Sequence, residues 1–301
     1  MKTPKENTVV QRACVSVPGF ASVWKKFEDQ VALQSLSRSS LNNYGRKLAH
    51  LCLRFGALPE QLSDEQIEGY LAERSRNAIT PSLSDFKHSV YGLRFYFRFI
   101  GQKQRTVALP SLRKERRLPA VLGRGECRRL FLAPERLKHR VALMLIYSGG
   151  LRASELCTLK PGDIDSERMT IHIRMGKGKK DRYVPLSSYM LQGLRKYYLQ
   201  EKPQVYLFNG KQIGESYSVK GLQWILREAL KKAKIHKEGI CLHTLRHTYA
   251  THLLEEGLDI ISIKELLGHS RIETTMMYLH VAHFERRTAY SPLDTLYGKR
   301  P

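Results

Sequence analysis

Between residues 104 and 120 the chain has neither the apolar periodicity of a helix nor the alternation of a strand. Pro110 and Pro119 stiffen this stretch, while Arg113, Lys114, Arg116 and Arg117 coat it with positive charge. Prolines deny helices and sheets their hydrogen bonds, and cations resist burial, so such a stretch divides a chain rather than joining a core. The fold is thus expected as two separately packed parts, and 301 residues suffice for two ordinary domains.

The part before this linker is patterned for helices. Leu41, Tyr44, Leu48 and Leu51 recur at helical spacing up to Gly56. Ser63 to Gln66 reads as a capping box that opens a second helix through Leu71. A third, from about Leu83, carries Phe86, Val90, Leu93 and Phe97 and ends at Gly101. Residues 20–103 are expected as an all-helical domain, preceded by a leader over 1–19.

The part after the linker, residues 121–282, is mixed. A helix from Gly125 leads to a buried one over Val141–Tyr147. Met169 to Met175 alternates apolar and polar side chains, as a half-buried strand does. Gly176 to Asp181 makes a turn, and Arg182 to Leu186 returns as a second strand. Helices follow over about 188–200 and 219–234, then a helical run over 243–282. Residues 283–301 form a tail in which Pro292 limits any helix. The fold class is therefore mainly α: a helical domain, then a mixed α/β domain that is mostly helical with a small antiparallel β-sheet.

Charge narrows the partner. Fifty-one Lys and Arg against 28 Asp and Glu leave +23, a self-repulsion commonly met where the partner is a polyanion. Charge alone does not separate DNA from RNA or from an anionic membrane. No run approaches the ~18 apolar residues of a spanning helix, and the N-terminus lacks the apolar core of a signal peptide. Five scattered cysteines, none spaced C-x-x-C, fit reduced thiols in a cytoplasm and argue against structural zinc. The linker cations suit a strap along a phosphate backbone and a solvated hinge equally well.

The chemistry-bearing residues cluster in the second part. His243 and Arg246, three apart on a helix whose apolar face is Leu245, Tyr249 and Leu253, could address one anion together. Asp259 caps the next helix and Gly268 stops it. Ser270 to Glu273 then reads as a capping box, with His269 just before it and Tyr278 about two turns inside. Helix N-termini favour phosphate, which suits His269. Arg152 opens a helix after Ser148-Gly149-Gly150, against the dipole. Either an anion sits there, or Arg152 pairs with Glu155 three residues on. Taken singly, each residue is more often structural than catalytic.

Four segments in order change that: Ser-Gly-Gly-Leu-Arg152-Ala-Ser-Glu155-Leu, Gly-Lys177-Gly-Lys-Lys-Asp-Arg, His243-Thr-Leu-Arg246-His-Thr-Tyr-Ala-Thr-His-Leu, and Leu-Leu-Gly-His269-Ser followed by Thr274-Thr275-Met-Met-Tyr278. Together they resemble the tyrosine recombinase (phage integrase) family, most closely its short Xer-type bacterial members. The likeness covers about 120–282 closely. Residues 20–101 resemble the family's core-binding, SAM-like domain in length, helicity and position.

The resemblance implies a site-specific DNA recombinase that cuts through a 3′-phosphotyrosine and rejoins by the reverse attack. Tyr278 would be the nucleophile, with Arg152 and Arg246 clamping the phosphate. Lys177 would be the general acid; Lys179 and Lys180 compete for that role, and the motif match selects Lys177. His243 would manage the tyrosine proton, His269 would donate to the phosphate, and Glu155 would orient the basic groups. Arg113, Lys114, Arg116, Arg117, Lys179 and Lys180 would touch the DNA backbone. No cofactor and no metal are expected, the partner is duplex DNA with specific core sites, and the assembly is a homo- or hetero-tetramer. The short stretch before residue 20 leaves no room for an arm-site domain, which favours simple core sites. Three rivals are a type IB topoisomerase, a non-catalytic DNA-binding protein on the same fold, and a metal-dependent nuclease. The close motif matches, the undamaged residue set and the histidine spacing respectively speak against them.

Overall fold

The computed structural model describes residues 8–34, 38–76, 83–105, 118–174, 181–212 and 214–282. The chain divides into two compact units, residues 1–115 and 116–301.

In the first unit, Thr8 begins the order. Its hydroxyl accepts from the Gln11 N–H at 3.2 Å, and the Gln11 side chain accepts from the Thr8 N–H at 2.9 Å. This reciprocal cap starts α1 (Val9–Ser16). Ala13 and Val17 are buried in the unit's core, so the expected leader is corrected: its second half is a packed helix. The signal was the Thr8-x-x-Gln11 pattern enclosing the apolar pair Val9-Val10.

Four further helices follow: α2 (Phe20–Leu33), α3 (Arg38–Phe55), α4 (Asp64–Arg76) and α5 (Leu83–Phe99). Phe27, Leu51, Cys52, Val90 and Phe97 fill the space between them. The Ser63–Gln66 box that opens α4 has both its bonds, at 2.8 and 3.2 Å. One polar knot stands at the edge of this core, where Asp85 receives both Lys47 and Arg74.

The second unit opens with α6 (Arg124–Leu132), the buried α7 (Leu137–Ser148) and α8 (Ala153–Thr158). Three antiparallel strands follow in sheet order: β1 (Ile164–Asp165), β2 (Thr170–Ile173) and β3 (Arg182–Pro185). Ile171 pairs with Val184 and His172 with Tyr183. Ile171, Ile173 and Val184 all face the core, as the alternation of the sequence requires. β1 is an addition: two residues are too few to leave a periodic signal.

α9 (Ser188–Glu201) and α10 (Val219–Lys232) complete the outer layer. α11 (Leu242–Glu255) packs on α7, α10 and α12 (Ile260–Leu267). Ten of its 14 residues are buried, so it is the unit's central helix, and both faces of its sequence are under packing constraint. α12 starts at Asp259, whose carboxylate accepts from Ile261 and Ser262 at 2.9 Å, and it ends at Gly268 with φ +63°.

Beyond Gly268 the structure departs from the sequence reading. α13 spans only Glu273–Met276, followed by a 3₁₀ turn over Met277–His280. Ser270 makes no cap, because the helix begins only at Glu273 and Ile272, already in helical conformation, occupies its N-cap position. Tyr278 therefore sits in the 3₁₀ turn rather than two turns into a helix, and no long helix offers its N-terminus to His269.

Candidate active site

Two turns and one central helix assemble the site in the second unit. The first turn is Ser148-Gly149-Gly150. Gly150 has φ +58°, and a Cβ there would lie 2.5 Å from the Tyr249 ring, so only glycine fits. The turn directs the Gly150 carbonyl at Arg246, whose Nη1 donates to it at 2.7 Å. The second turn, after α12, supplies the Leu267 carbonyl, which accepts from Nη2 of the same guanidinium.

Arg246 is thus gripped by both turns and is wholly buried. Its Nε has no hydrogen-bond partner among the described residues. Burial, then Arg152 and Arg182, push its pKa down to about 9 against the pull of Glu155. It still carries its charge at neutral pH, in a place short of anions. A buried, incompletely satisfied guanidinium is costly unless an anion joins it.

Arg152 stands just before α8. Its N–H and Nη1 donate to the two oxygens of Glu155 at 2.8 and 2.7 Å, and Nη2 lies 3.5 Å from the Gly268 carbonyl. The anion at this helix start is therefore Glu155 itself. Glu155 also receives Arg182 of β3 through two bonds, at 2.9 and 2.8 Å. Burial disfavours its charge, but Arg182 and Arg152 outweigh burial and hold the carboxyl at about 2. Arg182 in turn donates through Nε to the Leu266 carbonyl at 2.9 Å, tying the sheet to α12.

Tyr278 is buried beneath α11 with Tyr249, Ala250, Leu254, Ile263 and Leu267. Its hydroxyl lies 3.0 Å from Nδ1 of His247. Burial raises its pKa to about 12, although Arg246 and Arg152 pull the other way. His247 is held near 4 by burial, then by His243 and Arg246. His243 is exposed at the start of α11, its ring edge-on to His247 with centroids 4.5 Å apart. His269 contacts the Thr275 hydroxyl through Nδ1 at 2.9 Å. Burial, then Arg246 and Arg152, lower its pKa to about 3.

The structure thus brings Arg152, Glu155, His243, Arg246, His269 and Tyr278 into one cluster. Lys177, Lys179 and Lys180, and the linker residues Arg113, Lys114, Arg116 and Arg117, lie outside the described residues. Two members were missed by sequence reasoning. Arg182 stood in the hairpin motif without a role, since nothing in its spacing points to Glu155. His247 directly follows Arg246 and is one turn from His243, a signal that was available. Among the described residues no three His, Cys, Asp or Glu side chains converge to hold a metal ion, and no helix is long and apolar enough to cross a membrane.

The profile of the Phage integrase family matches residues 121–285. A putative integrase/recombinase y4qK of Sinorhizobium fredii is 32% identical over 277 residues, 90% of this chain and 88% of its own. The tyrosine recombinase XerA of Thermococcus kodakarensis is 34% identical over 275 residues, 86% of this chain and 90% of its own. Among solved structures, XerH site-specific recombinase bound to palindromic difH substrate in a post-cleavage complex matches with a TM-score of 0.66 at 18% identity, covering 99% of both chains. A λ integrase (75–356) dimer bound to a COC′ core site matches at 0.66 and 20% identity, over 90% of this chain and 97% of that one. At these identities the structures establish the fold, and the sequence matches establish kinship. The chain belongs to the phage integrase family, the tyrosine recombinases that cleave and rejoin DNA through a phosphotyrosine without a metal ion.

Proposed function

We propose that this recombinase uses Tyr278 as its nucleophile and the Arg152–Arg246 pair as its phosphate clamp. The observation that carries the reading is the buried Arg246, charged and with Nε unpartnered, in the same cationic cluster as the Tyr278 hydroxyl. A scissile phosphate entering there supplies the missing anion. Charge growing on its non-bridging oxygens during attack is then stabilised by guanidinium groups already held in place.

In this reading the phenolic oxygen attacks phosphorus and the 5′-oxygen departs, with Lys177 supplying its proton. The neutral His269 donates to the phosphate, and Glu155 holds Arg152 and Arg182 in register. His243, at the exposed edge, serves the tyrosine end of the reaction. Residues 20–103 form the core-binding domain and 121–282 the catalytic domain. The linker cations Arg113, Lys114, Arg116 and Arg117, with Lys179 and Lys180, follow the DNA backbone. Four subunits act on two core sites in the cytoplasm, as a recombinase of replicons or of a mobile element.

The test is covalent capture. Purified protein is incubated in EDTA with nicked suicide duplexes of randomised sequence, and protein-bound DNA is recovered under denaturing conditions and sequenced. The reading expects an adduct on a recurring core sequence that disappears in Tyr278→Phe. An adduct that survives this change, or one that requires magnesium, contradicts it. Transfer of the captured strand to a second duplex distinguishes recombination from simple relaxation.

A further inference from the structure

The position of His247 reassigns the proton of the nucleophile. His243 is exposed at the start of α11, whereas among the described residues the side chain hydrogen-bonded to the Tyr278 hydroxyl is His247, through Nδ1 at 3.0 Å. The two rings lie 5.6 Å apart between centroids. Both are carried by packed elements: His247 by the central helix, and Tyr278 by a turn whose ring is 1% exposed.

We infer that His247, rather than His243, takes the phenolic proton when Tyr278 attacks phosphorus. The inference rests on Tyr278 being the nucleophile. As the phenolic O–H breaks, the O–P bond forms and the proton passes to Nδ1 of His247. The P–O5′ bond breaks, and the departing oxygen takes its proton from the general acid. On rejoining, the attacking 5′-hydroxyl returns its proton to that acid, the O–P bond to tyrosine breaks, and the His247 imidazolium gives its proton back to the phenolic oxygen. No outside reactant is required.

The surroundings suit this role. His243 and Arg246 face His247 from its own helix and His269 from the turn after α12, with the Tyr278 hydroxyl opposite. Burial, and after it the field of His243 and Arg246, keeps the imidazole neutral in the absence of DNA, its pKa near 4. A neutral ring can accept a proton. The anionic phosphate offsets part of the field and raises the basicity of the ring on arrival, so the base strengthens when substrate is present. His243 then acts beside His247, at the solvent edge.

The test uses a duplex recovered by covalent capture. Single-turnover adduct formation is followed from pH 6 to 10 in EDTA for the wild type, His247→Asn, His247→Ala and His243→Asn. Asparagine can accept the hydrogen bond but cannot carry the proton away. His247→Asn and His247→Ala are expected to slow cleavage alike, by about 100-fold or more. Their rates should climb about tenfold per pH unit where the wild-type rate is flat. The inference is overturned if His247→Asn cleaves within a few-fold of wild type, or if His243→Asn alone gives the climbing profile. Should the variants fail to fold, nitrogen NMR of histidine-labelled wild-type protein decides. An Nδ1 without hydrogen supports the inference, and an Nδ1 that carries one contradicts it. Failure of the wild type to form any adduct would count against the nucleophile assignment, an outcome distinct from these.

Discussion

Arg182 and Glu155 meet fork to fork, Nη1 at 2.9 Å from one carboxylate oxygen and Nη2 at 2.8 Å from the other. One carboxylate thereby joins β3 to α8, and Arg182 carries the link on to α12. Arg246 lies 4.0 Å from the same carboxylate, so a single anion holds three arginines in register.

Glu155→Gln removes that anion and leaves three guanidinium groups facing one another. Breaking a buried ion pair from one side costs about 3–5 kcal/mol. Urea unfolding should show a loss of this size, and the DNA adduct should be lost even where the variant is still folded. A variant as stable as the wild type would show that Glu155 does not hold the cluster.

Acid should unfold the second unit in two stages. His247 and His269 are held well below the ordinary histidine value, so below about pH 6.5 the unfolded chain binds protons that the folded chain refuses. The stability they contribute is complete above that pH and falls as the solution is acidified toward their folded values. Glu155, held at about 2, contributes stability that is complete above the ordinary carboxylate range and lost only as pH falls through it toward 2. Melting temperature against pH should thus decline between pH 6.5 and 5, and less steeply in a His247→Asn, His269→Asn double variant. Equal slopes would contradict the shifted histidines.

Two glycines with positive φ should respond differently to alanine. At Gly56, φ +65°, a Cβ meets nothing within 4 Å, so Gly56→Ala carries the left-handed strain alone, about 1–2 kcal/mol. At Gly150 the Cβ also collides with Tyr249, raising the total to about 3 kcal/mol or more, and the carbonyl that grips Arg246 must shift. Chemical denaturation of both variants checks the contrast. A Gly150→Ala cost no larger than that of Gly56→Ala would contradict the packed turn.

How much of this was legible in the sequence depended on range. Elements fixed by local chemistry could be read directly: the Ser63–Gln66 cap, the Asp259 cap, the Gly268 stop and the alternation that buries Ile171 and Ile173. The turn after Gly268 could not be, because the helix starts two residues later than the Ser270 pattern implies, with Ile272 at its N-cap, and leaves Ser270 no capping role. Nor could the partner of Glu155. Arg152 is three residues away, but Arg182 is 27 away, and only the folded sheet brings it near. His247 is intermediate: its spacing from His243 was visible, but its approach to Tyr278, 31 residues on, depends on how the 3₁₀ turn packs under α11.

Arg246→Lys keeps the charge and loses the fork. A lysine ammonium cannot reproduce the planar grip on the Gly150 and Leu267 carbonyls. Cleavage should fall by about 100-fold or more, while duplex affinity, set by many backbone contacts, changes little. Gel-shift and adduct assays on the same preparation separate the two. A parallel loss of binding and cleavage would contradict the clamp.

The central claim is that Tyr278 becomes covalently bound to DNA, and peptide mapping of the adduct tests it most directly. The adduct formed in EDTA is digested with protease and nuclease, and the nucleotide-bearing peptide is sequenced by mass spectrometry. The account predicts a 3′-phosphodeoxynucleotide on Tyr278. A nucleotide on any other residue, Tyr249 or His247 included, would contradict it.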